Sequence, residues 1–145
     1  MKRVGPVLVI LLCLGLSIGC KSPDSATVLS TWAGTFTDGA NGPSGTISNW
    51  QFKSDNTTAG SWATTGTHAF SLSMNDSSYT LDSAGNLTGT ATGSAKDTAS
   101  GTTSNYSVTF PGTLGATTGN GTYTITFLDL SWPGPFSGTW NVTKQ

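Results

Sequence analysis

Charged side chains are scarce in this chain, at 9% of residues against roughly 25% in typical domains. There is no glutamate, and the only arginine is Arg3. After residue 20 the chain has four lysines and seven aspartates, which leaves a side-chain charge of −3. A basic patch is the minimum footprint of a nucleic-acid-binding protein. The composition therefore excludes a nucleic acid as a partner.

Residues that usually carry chemistry are also few. The two cysteines, Cys13 and Cys20, lie in the N-terminal segment, and His68 is the only histidine. This leaves no pair for a disulfide in the rest of the chain and no zinc site of the usual kind. Paired glutamates for glycoside hydrolysis and a Gly-x-Ser-x-Gly nucleophile elbow are absent. We therefore expect no enzyme activity, no catalytic residues, no metal and no cofactor.

Small polar residues and aromatics dominate what remains. Serine, threonine, glycine and asparagine form helices poorly, and threonine favours strands. No segment repeats apolar residues at spacings of three and four, so almost no helix is expected. Five tryptophans, six phenylalanines and three tyrosines are spread along the whole length. Disordered chains lack such residues, so the pattern predicts a folded all-β domain.

The N-terminus has the form of an export signal. Lys2 and Arg3 precede an apolar run, Val4–Ile18, which ends in Gly19 and Cys20. A charged start, an apolar centre and a small residue at the cleavage point are typical of a signal peptide. The run is too short for an ordinary transmembrane helix, which needs roughly 20 apolar residues.

The end of this segment, Leu16–Cys20, resembles the lipobox of bacterial lipoproteins. Ser17 stands where that family usually has leucine, and Leu16 lies one place earlier. The resemblance implies cleavage before Cys20, lipidation of its sulfur and acylation of the new amino end. The residue after Cys20 is Lys21 and not aspartate. In this respect the chain resembles the lipoproteins that are sorted to the outer membrane of the bacterial cell envelope. Ordinary secretion with cleavage nearby is the alternative.

The resemblance divides the chain into three parts. Residues 1–19 are expected to be the signal peptide, residues 20–30 the lipidated cysteine and a tether, and residues 31–145 one domain. The domain is long enough for a single core and not for two.

From residue 31 onward, apolar and polar residues alternate with a period of two, which is typical of strands with one buried face. The predicted inward residues are Trp32, Gly34 and Phe36; His68, Phe70, Leu72 and Met74, with Trp62 to Gly66 continuing the same face; Leu87, Gly89, Ala91 and Gly93; Tyr106, Val108 and Phe110; Tyr123, Ile125 and Phe127; and Phe136, Gly138, Trp140 and Val142.

Turn-forming residues separate these runs. The predicted turns lie at 38–43, 54–56, 75–77, 83–86, 96–101, 119–121 and 133–135. About eight strands at this spacing predict a single antiparallel meander β-barrel, with a β-sandwich as the alternative. Repeated Gly-Thr pairs are interpreted as strand starts and bends at which an aromatic ring covers the glycine.

Two short elements give the domain a weak family resemblance. Trp32–Phe36 in the first strand and Gly138–Trp140 in the last are similar to elements of calycin-like barrels, the lipocalin and avidin group. The resemblance implies a closed barrel. It implies no biotin-binding activity here, because the biotin contacts of avidin cannot be matched residue by residue.

Two functions follow from the aromatics. An interior pocket would suit a carrier of a small apolar ligand, and its candidate residues are Trp32, Trp50, Trp62, His68, Tyr123 and Trp140. A filled interior with an exposed patch at Trp132 and Phe136 would suit an envelope protein that binds another macromolecule. The filled interior, and with it the second function, is the favoured expectation, and in both cases the N-terminal lipid provides the membrane contact.

Overall fold

The computed structural model describes residues 26–39, 44–65, 69–128 and 135–145. The described residues form nine strands and no helix, which confirms the all-β prediction. The strands are β1 (Val28–Asp38), β2 (Gly45–Lys53), β3 (Thr58–Thr64), β4 (Phe70–Leu81), β5 (Asn86–Asp97), β6 (Thr103–Thr109), β7 (Gly112–Leu114), β8 (Thr118–Phe127) and β9 (Phe136–Lys144). Among these residues no helix is long and apolar enough to cross a membrane. The predicted signal peptide, Cys20, His68 and Trp132 lie outside the described residues.

The strands form one closed antiparallel meander. Each strand from β1 to β5 pairs with the next, β5 pairs with β6, β6 pairs with β8, and β9 pairs with both β8 and β1. Closure gives each described strand a partner on both sides over at least part of its length. The structure is the predicted eight-stranded barrel with one extra strand, and not the alternative sandwich.

The extra strand continues the path of β6. Both β6 and β7 pair with β5 on one side and β8 on the other. Phe110 and Pro111 separate them, and a proline has no N–H for a strand ladder. The Phe110 nitrogen donates to Gly89 O at 2.9 Å, and Pro111 O accepts from the Thr122 nitrogen at 2.9 Å. The sheet therefore stays joined across the interruption.

Alternation places the apolar residues inside, as predicted. The buried core takes one face from each strand, including Trp32 and Phe36 of β1, Tyr106 and Val108 of β6, Tyr123 and Ile125 of β8, and Trp140 and Val142 of β9. The opposite faces carry mainly serine and threonine, and pairs such as Thr37 with Thr139 and Thr124 with Ser137 are hydrogen-bonded across the outer surface.

β1 begins at Val28, inside the segment expected to be the tether. The Ser54 nitrogen donates to Thr27 O at 2.9 Å, so the end of that segment is already joined to the barrel.

Two of the predicted turns are wrong. Residues 75–77 lie within β4, where the pairing with β5 shifts between Met74 and Asp76 as a bulge. Residues 119–121 lie within β8. There a Cβ on Gly121 would stand 2.5 Å from Cζ2 of Trp140. The glycine makes room for an indole ring, a role that the sequence pattern does not distinguish from a turn.

The residues predicted to share an inward face from Trp62 to Met74 do face inward where they are described, but they belong to two strands and not to one. Trp62 belongs to β3 and Met74 to β4, with a connection at residues 65–69. Inward and outward residues do not alternate strictly along β2, because Asn49 adopts a positive φ of 51°. Ile47 and Trp50 both point inward although three positions separate them, as expected at a bulge.

The two ends of the barrel differ in their connections. One end, here called the loop end, carries the connections at residues 39–44, 65–69, 98–102 and 128–135. The other, called the turn end, carries the shorter connections at residues 54–57, 82–85 and 115–117. β1 starts at the turn end and β9 finishes there, since Trp32 pairs with both Trp50 and Lys144.

Candidate functional site: an apolar cavity at the loop end

In the turn-end half of the interior, aromatic rings pack closely around Trp50. This residue has no exposed surface. Its ring centroid lies 4.9 Å from Phe52, 5.3 Å from both Phe110 and Trp140, and 5.6 Å from Trp62. Three of these pairs are edge-to-face, a geometry that contributes about 0.5–1.5 kcal/mol beyond the burial of the rings. This cluster fills the interior of the barrel on the turn-end side.

Small residues on β5 make room for the rings that fill the centre. Its inward face carries Gly89, Ala91 and Gly93 in succession. A Cβ on Gly89 would overlap the ring of Phe110, and a Cβ on Gly93 would stand 2.9 Å from the hydroxyl of Tyr106. The expected covering of glycines in Gly-Thr pairs by aromatic rings is confirmed at Gly89 and at Gly121.

The loop-end half contains a cavity. The space open to the centres of water-sized molecules is about 40 Å³, which is enough for roughly three such groups. Its aromatic walls are Phe36, Trp62, Phe70, Tyr106, Tyr123, Phe127 and Phe136, and its other walls are Thr64, Leu72, Met74, Val108 and Ile125. None of these wall residues, which all belong to the described part of the chain, carries a formal charge at neutral pH.

Most polar groups on these walls are already hydrogen-bonded. Tyr106 donates its hydroxyl to Ser73 O at 3.0 Å. Burial raises the pKa of Tyr106 well above its ordinary value, so this hydroxyl stays protonated. Thr64 Oγ1 accepts from the Phe70 nitrogen, and Met74 Sδ accepts from Thr58 Oγ1 at 3.6 Å. These bonds hold the walls in place and leave a neutral, apolar interior.

Two buried indole N–H groups differ from the others. In the part of the chain that the structure describes, the Nε1 atoms of Trp50 and Trp62 are buried and have no hydrogen-bond partner. Leaving a buried donor unpaired costs about 1–3 kcal/mol. Trp140, by contrast, donates to Thr122 O at 2.9 Å, and Trp32 donates to Ser30 Oγ at 2.9 Å. Trp62 is the one tryptophan among these four that forms part of the cavity wall.

The structure separates the residues predicted to form a pocket. Trp62 and Tyr123 line the cavity, with their ring centroids 6.0 Å apart. Trp32, Trp50 and Trp140 are buried but do not line it. His68 cannot be placed, because it lies outside the described residues.

Phe136, predicted to belong to an exposed partner surface, packs against the core and lines the cavity. Its ring centroid is 6.1 Å from that of Phe127. Trp132, the other residue of that surface, lies outside the described residues. The sequence pattern predicts that several other wall residues face inward, but it does not predict that they line a cavity. They are Phe70, Leu72, Met74, Tyr106, Val108, Ile125 and Phe127. Alternation shows which face of a strand a residue is on, but not its position along the barrel axis. The sequence therefore does not indicate which inward-facing residues line the cavity.

Among the described residues no group of three metal-ligating side chains is close enough to hold a metal ion. Comparison of the chain with known protein families, curated proteins and solved structures found no match. The closed meander is compatible with the calycin-like fold that the sequence resembles, and the site must be interpreted from its own geometry.

Proposed function

We propose that this chain is a lipid-anchored, non-catalytic protein of the bacterial envelope whose barrel binds a small, neutral, apolar molecule at the loop end. The observation that carries the proposal is the cavity bounded by Trp62, Tyr123 and Phe136, which lies next to the aromatic rings packed around Trp50. Ligand sites are typically concave and mostly apolar, and the mouths of β-barrels are a preferred place for them.

The walls favour an uncharged ligand. A charged group without a partner is costly to bury, and the described wall residues provide no opposite charge. A volume of about 40 Å³ suits a molecule of few atoms. Met74, Phe127 and Phe136 are only partly buried, so their movement offers a way for the cavity to accept a larger one. Met74 suits this role because its side chain is unbranched and adaptable.

β1 begins at the end of the barrel opposite to the cavity. β1 leaves the N-terminal segment at the turn end, where Thr27 is bonded to Ser54. A lipid on Cys20 would hold that end near the bilayer and direct the loop end away from it. Several acyl chains anchor a protein stably where a single chain is marginal. Lys21 supports sorting to the outer membrane.

Macromolecular binding has less support. Of the large apolar side chains that are exposed in the described residues, only Leu128 lies at the loop end, where the partner surface is expected, whereas Val28, Leu29 and Leu81 lie at the turn end. Phe136, half of the expected patch, faces the cavity. Residues 21–145 remain suitable for testing either function, since every strand from β1 to β9 lies within them.

The test is a titration of isotopically labelled residues 21–145 with pentane in sealed tubes, followed by methyl NMR. We expect saturable shifts of the Met74 and Ile125 methyl groups, which line the cavity. Leu114, buried near the turn end, provides an internal control and should not shift. Absence of saturation, or equal shifts at all three residues, would contradict the proposal.

A blocking variant makes the test specific. Val108 is a buried wall residue, and Val108→Phe should fill the cavity and abolish the shifts. Overpacking is expected to cost about 1–3 kcal/mol of stability, so the melting curve of the variant must first show a folded protein. Retained pentane binding in a folded Val108→Phe protein would place the ligand elsewhere.

A further inference from the structure

We propose that the ligand enters and leaves the cavity between β3 and β4, through a gap that the Met74 side chain covers. This side gap lies between residues 59–60 of β3 and residues 74–76 of β4. The proposal rests on the binding function proposed above and specifies how the same site is reached. The other route would be the loop end, where Phe127 and Phe136 lie. The two routes differ in which strands must part when a ligand passes.

The ladder between β3 and β4 is incomplete. β3 has seven residues and β4 has twelve, all in the described part of the chain. Only three residue pairs join the two strands, and the last of them, toward the turn end, is Ser61 with Ser73. Immediately beyond this pair, β4 carries the bulge between Met74 and Asp76. The regular pairing of β4 with β3 therefore ends where the bulge begins.

A side chain replaces the ladder at the next contact between the two strands. The Ser77 hydroxyl accepts from the Thr58 nitrogen and donates to Thr58 O, both at 2.7 Å. Between this contact and the last ladder pair, two residues of β3 face three of β4, as at a bulge. Gly60, one of the two, has no side chain that could close the space. Closure of the side gap therefore depends on a residue of β4.

Met74 lies between the side gap and the cavity. It is a wall residue of the cavity, and its sulfur reaches across to β3, where Thr58 Oγ1 donates to Met74 Sδ at 3.6 Å. The methionine side chain is unbranched and has three rotatable bonds, so it can turn aside without a change in the backbone. Loss of one weak contact to sulfur then uncovers a path from the cavity to the outer surface.

The loop-end route would disturb more packing among the described residues. The ring of Phe127 lies 6.1 Å from that of Phe136, 5.8 Å from that of Phe70 and 6.5 Å from that of Tyr106, measured between centroids. Displacement of Phe127 therefore breaks contacts with three other rings. Proteins open locally where pairing and packing are least extensive, and this favours the side gap.

The experiment places a disulfide at the edge of the side gap in residues 21–145, which contain no cysteine of their own. Ser61 and Ser73 are exposed and directly paired. Paired residues of antiparallel strands have Cα atoms about 4.5–5.5 Å apart, within the disulfide range of about 4.4–6.8 Å. The protein carries Ser61→Cys and Ser73→Cys, and a thiol assay shows when the bond has formed.

The measured quantity is the rate constant for association of pentane, obtained by exchange NMR at the Ile125 methyl groups. Oxidation of the Ser61→Cys, Ser73→Cys protein should lower it about tenfold, which corresponds to about 1.4 kcal/mol in the barrier. Reduction should restore the original rate, since the disulfide prevents the two strands from parting.

A second disulfide, made with Thr124→Cys and Ser137→Cys, is the matched control. These two residues are paired between β8 and β9, and their hydroxyl oxygens lie 3.0 Å apart on the outer surface. Oxidation of this pair should change the association rate by less than about twofold. An unchanged rate with the first disulfide, or equal slowing by both, would overturn the proposal.

Met74→Ala tests the cover itself and decides the matter if the first disulfide does not form. Removal of the side chain should raise the association rate about tenfold. Leu114→Ala also truncates a buried side chain, but one outside the cavity wall, and should change the rate by less than about twofold. No acceleration in Met74→Ala, or equal acceleration in both variants, would overturn the proposal.

Failure of this route can be distinguished from failure of the proposed function. If pentane shows no saturable binding to the wild-type protein, the proposed function fails and the route with it. If pentane binds, but its association rate responds neither to the disulfide between residues 61 and 73 nor to Met74→Ala, only the route is wrong.

Discussion

Phe110 lies directly against Gly89, on the path where β6 gives way to β7. The Phe110 nitrogen donates to Gly89 O at 2.9 Å, and a Cβ on Gly89 would stand 2.7 Å from the ring carbon Cδ2. The glycine thus allows the ring to reach Trp50, whose centroid is 5.3 Å away. Backbone pairing and core packing therefore depend on the same two residues.

Gly89→Ala should lower the free energy of unfolding by about 1–3 kcal/mol, because the added methyl group forces the Phe110 ring out of the core. The measurement is the urea midpoint of residues 21–145. Gly39→Ala is the control, since a Cβ there would lie 3.6 Å from Ser137 O, an ordinary contact. Equal stability of the two variants would show that the Phe110 ring moves without cost.

The side chain of Ser77 should add to the stability of the pairing between β3 and β4, whose backbone ladder is short. Its Oγ accepts from the Thr58 nitrogen and donates to Thr58 O, both at 2.7 Å. Ser77→Ala would leave two partly buried backbone groups unpaired, and we expect a loss of about 1–3 kcal/mol in urea unfolding.

The adjacent Ser78 gives a matched control for that prediction. Its Oγ lies 3.2 Å from Thr90 Oγ1 on the exposed surface, so Ser78→Ala should change stability by less than about 0.5 kcal/mol. A similar loss in both variants would mean that the bond to Thr58 has no special weight.

Asp82 should make the β4–β5 turn sensitive to acid. Its carboxylate accepts from Asn86 Nδ2 at 2.7 Å and from the backbone nitrogens of Asn86 and Ala84 at 2.9 Å. The Asn86 side chain is the largest influence that holds the pKa of Asp82 below its ordinary value of 3.8. Because the folded pKa is the lower one, the carboxylate stabilises the fold above pH 3.8, and this contribution is lost as the pH falls through the folded pKa.

Asn86→Ala should therefore raise the pKa of Asp82 toward 3.8, as measured by NMR titration of its carboxyl carbon. Asp55 serves as the internal reference. Its pKa is lowered mainly by a hydrogen bond from the Thr57 side chain, which Asn86 does not affect. Parallel movement of both pKa values would point to a general change in the fold and contradict the local explanation.

Cys20 should carry the lipid. When the full chain is expressed in a bacterium with labelled palmitate, the wild type should incorporate label, and Cys20→Ala should incorporate none and retain its leader. Cys13→Ala, which changes the other cysteine of the N-terminal segment, should behave as the wild type. Cleavage of Cys20→Ala to an unlabelled mature protein would favour ordinary secretion.

Most of the inward faces can be predicted from the local sequence, although β7 and the bulge in β2 cannot. Alternation at Tyr123, Ile125 and Phe127 is a local property of extended backbone, since successive side chains point to opposite faces. The scarcity of charge and of strong helix formers determined the all-β class in the same way. These features need no knowledge of which strand lies beside which.

Tertiary structure decided the rest, beginning with the positions where local signals conflict. Residues 119–121 have the composition of a turn, yet they lie in β8, where they pair with β7 on one side and β9 on the other. Asn75 resembles part of a turn, yet β4 accommodates it as a bulge. In both cases a neighbouring strand supplies the interaction that overrides local preference.

The site depended most strongly on tertiary structure. Trp50 and Trp62 both face inward, and nothing in their local sequence distinguishes a residue of the packed core from a residue of the cavity wall. Their heights follow from the register of each strand pair around the closed sheet, including the shift at Asn49. The sequence predicts that aromatic rings fill the interior, whereas the accumulated register places Trp50 among closely packed rings and Trp62 beside the cavity.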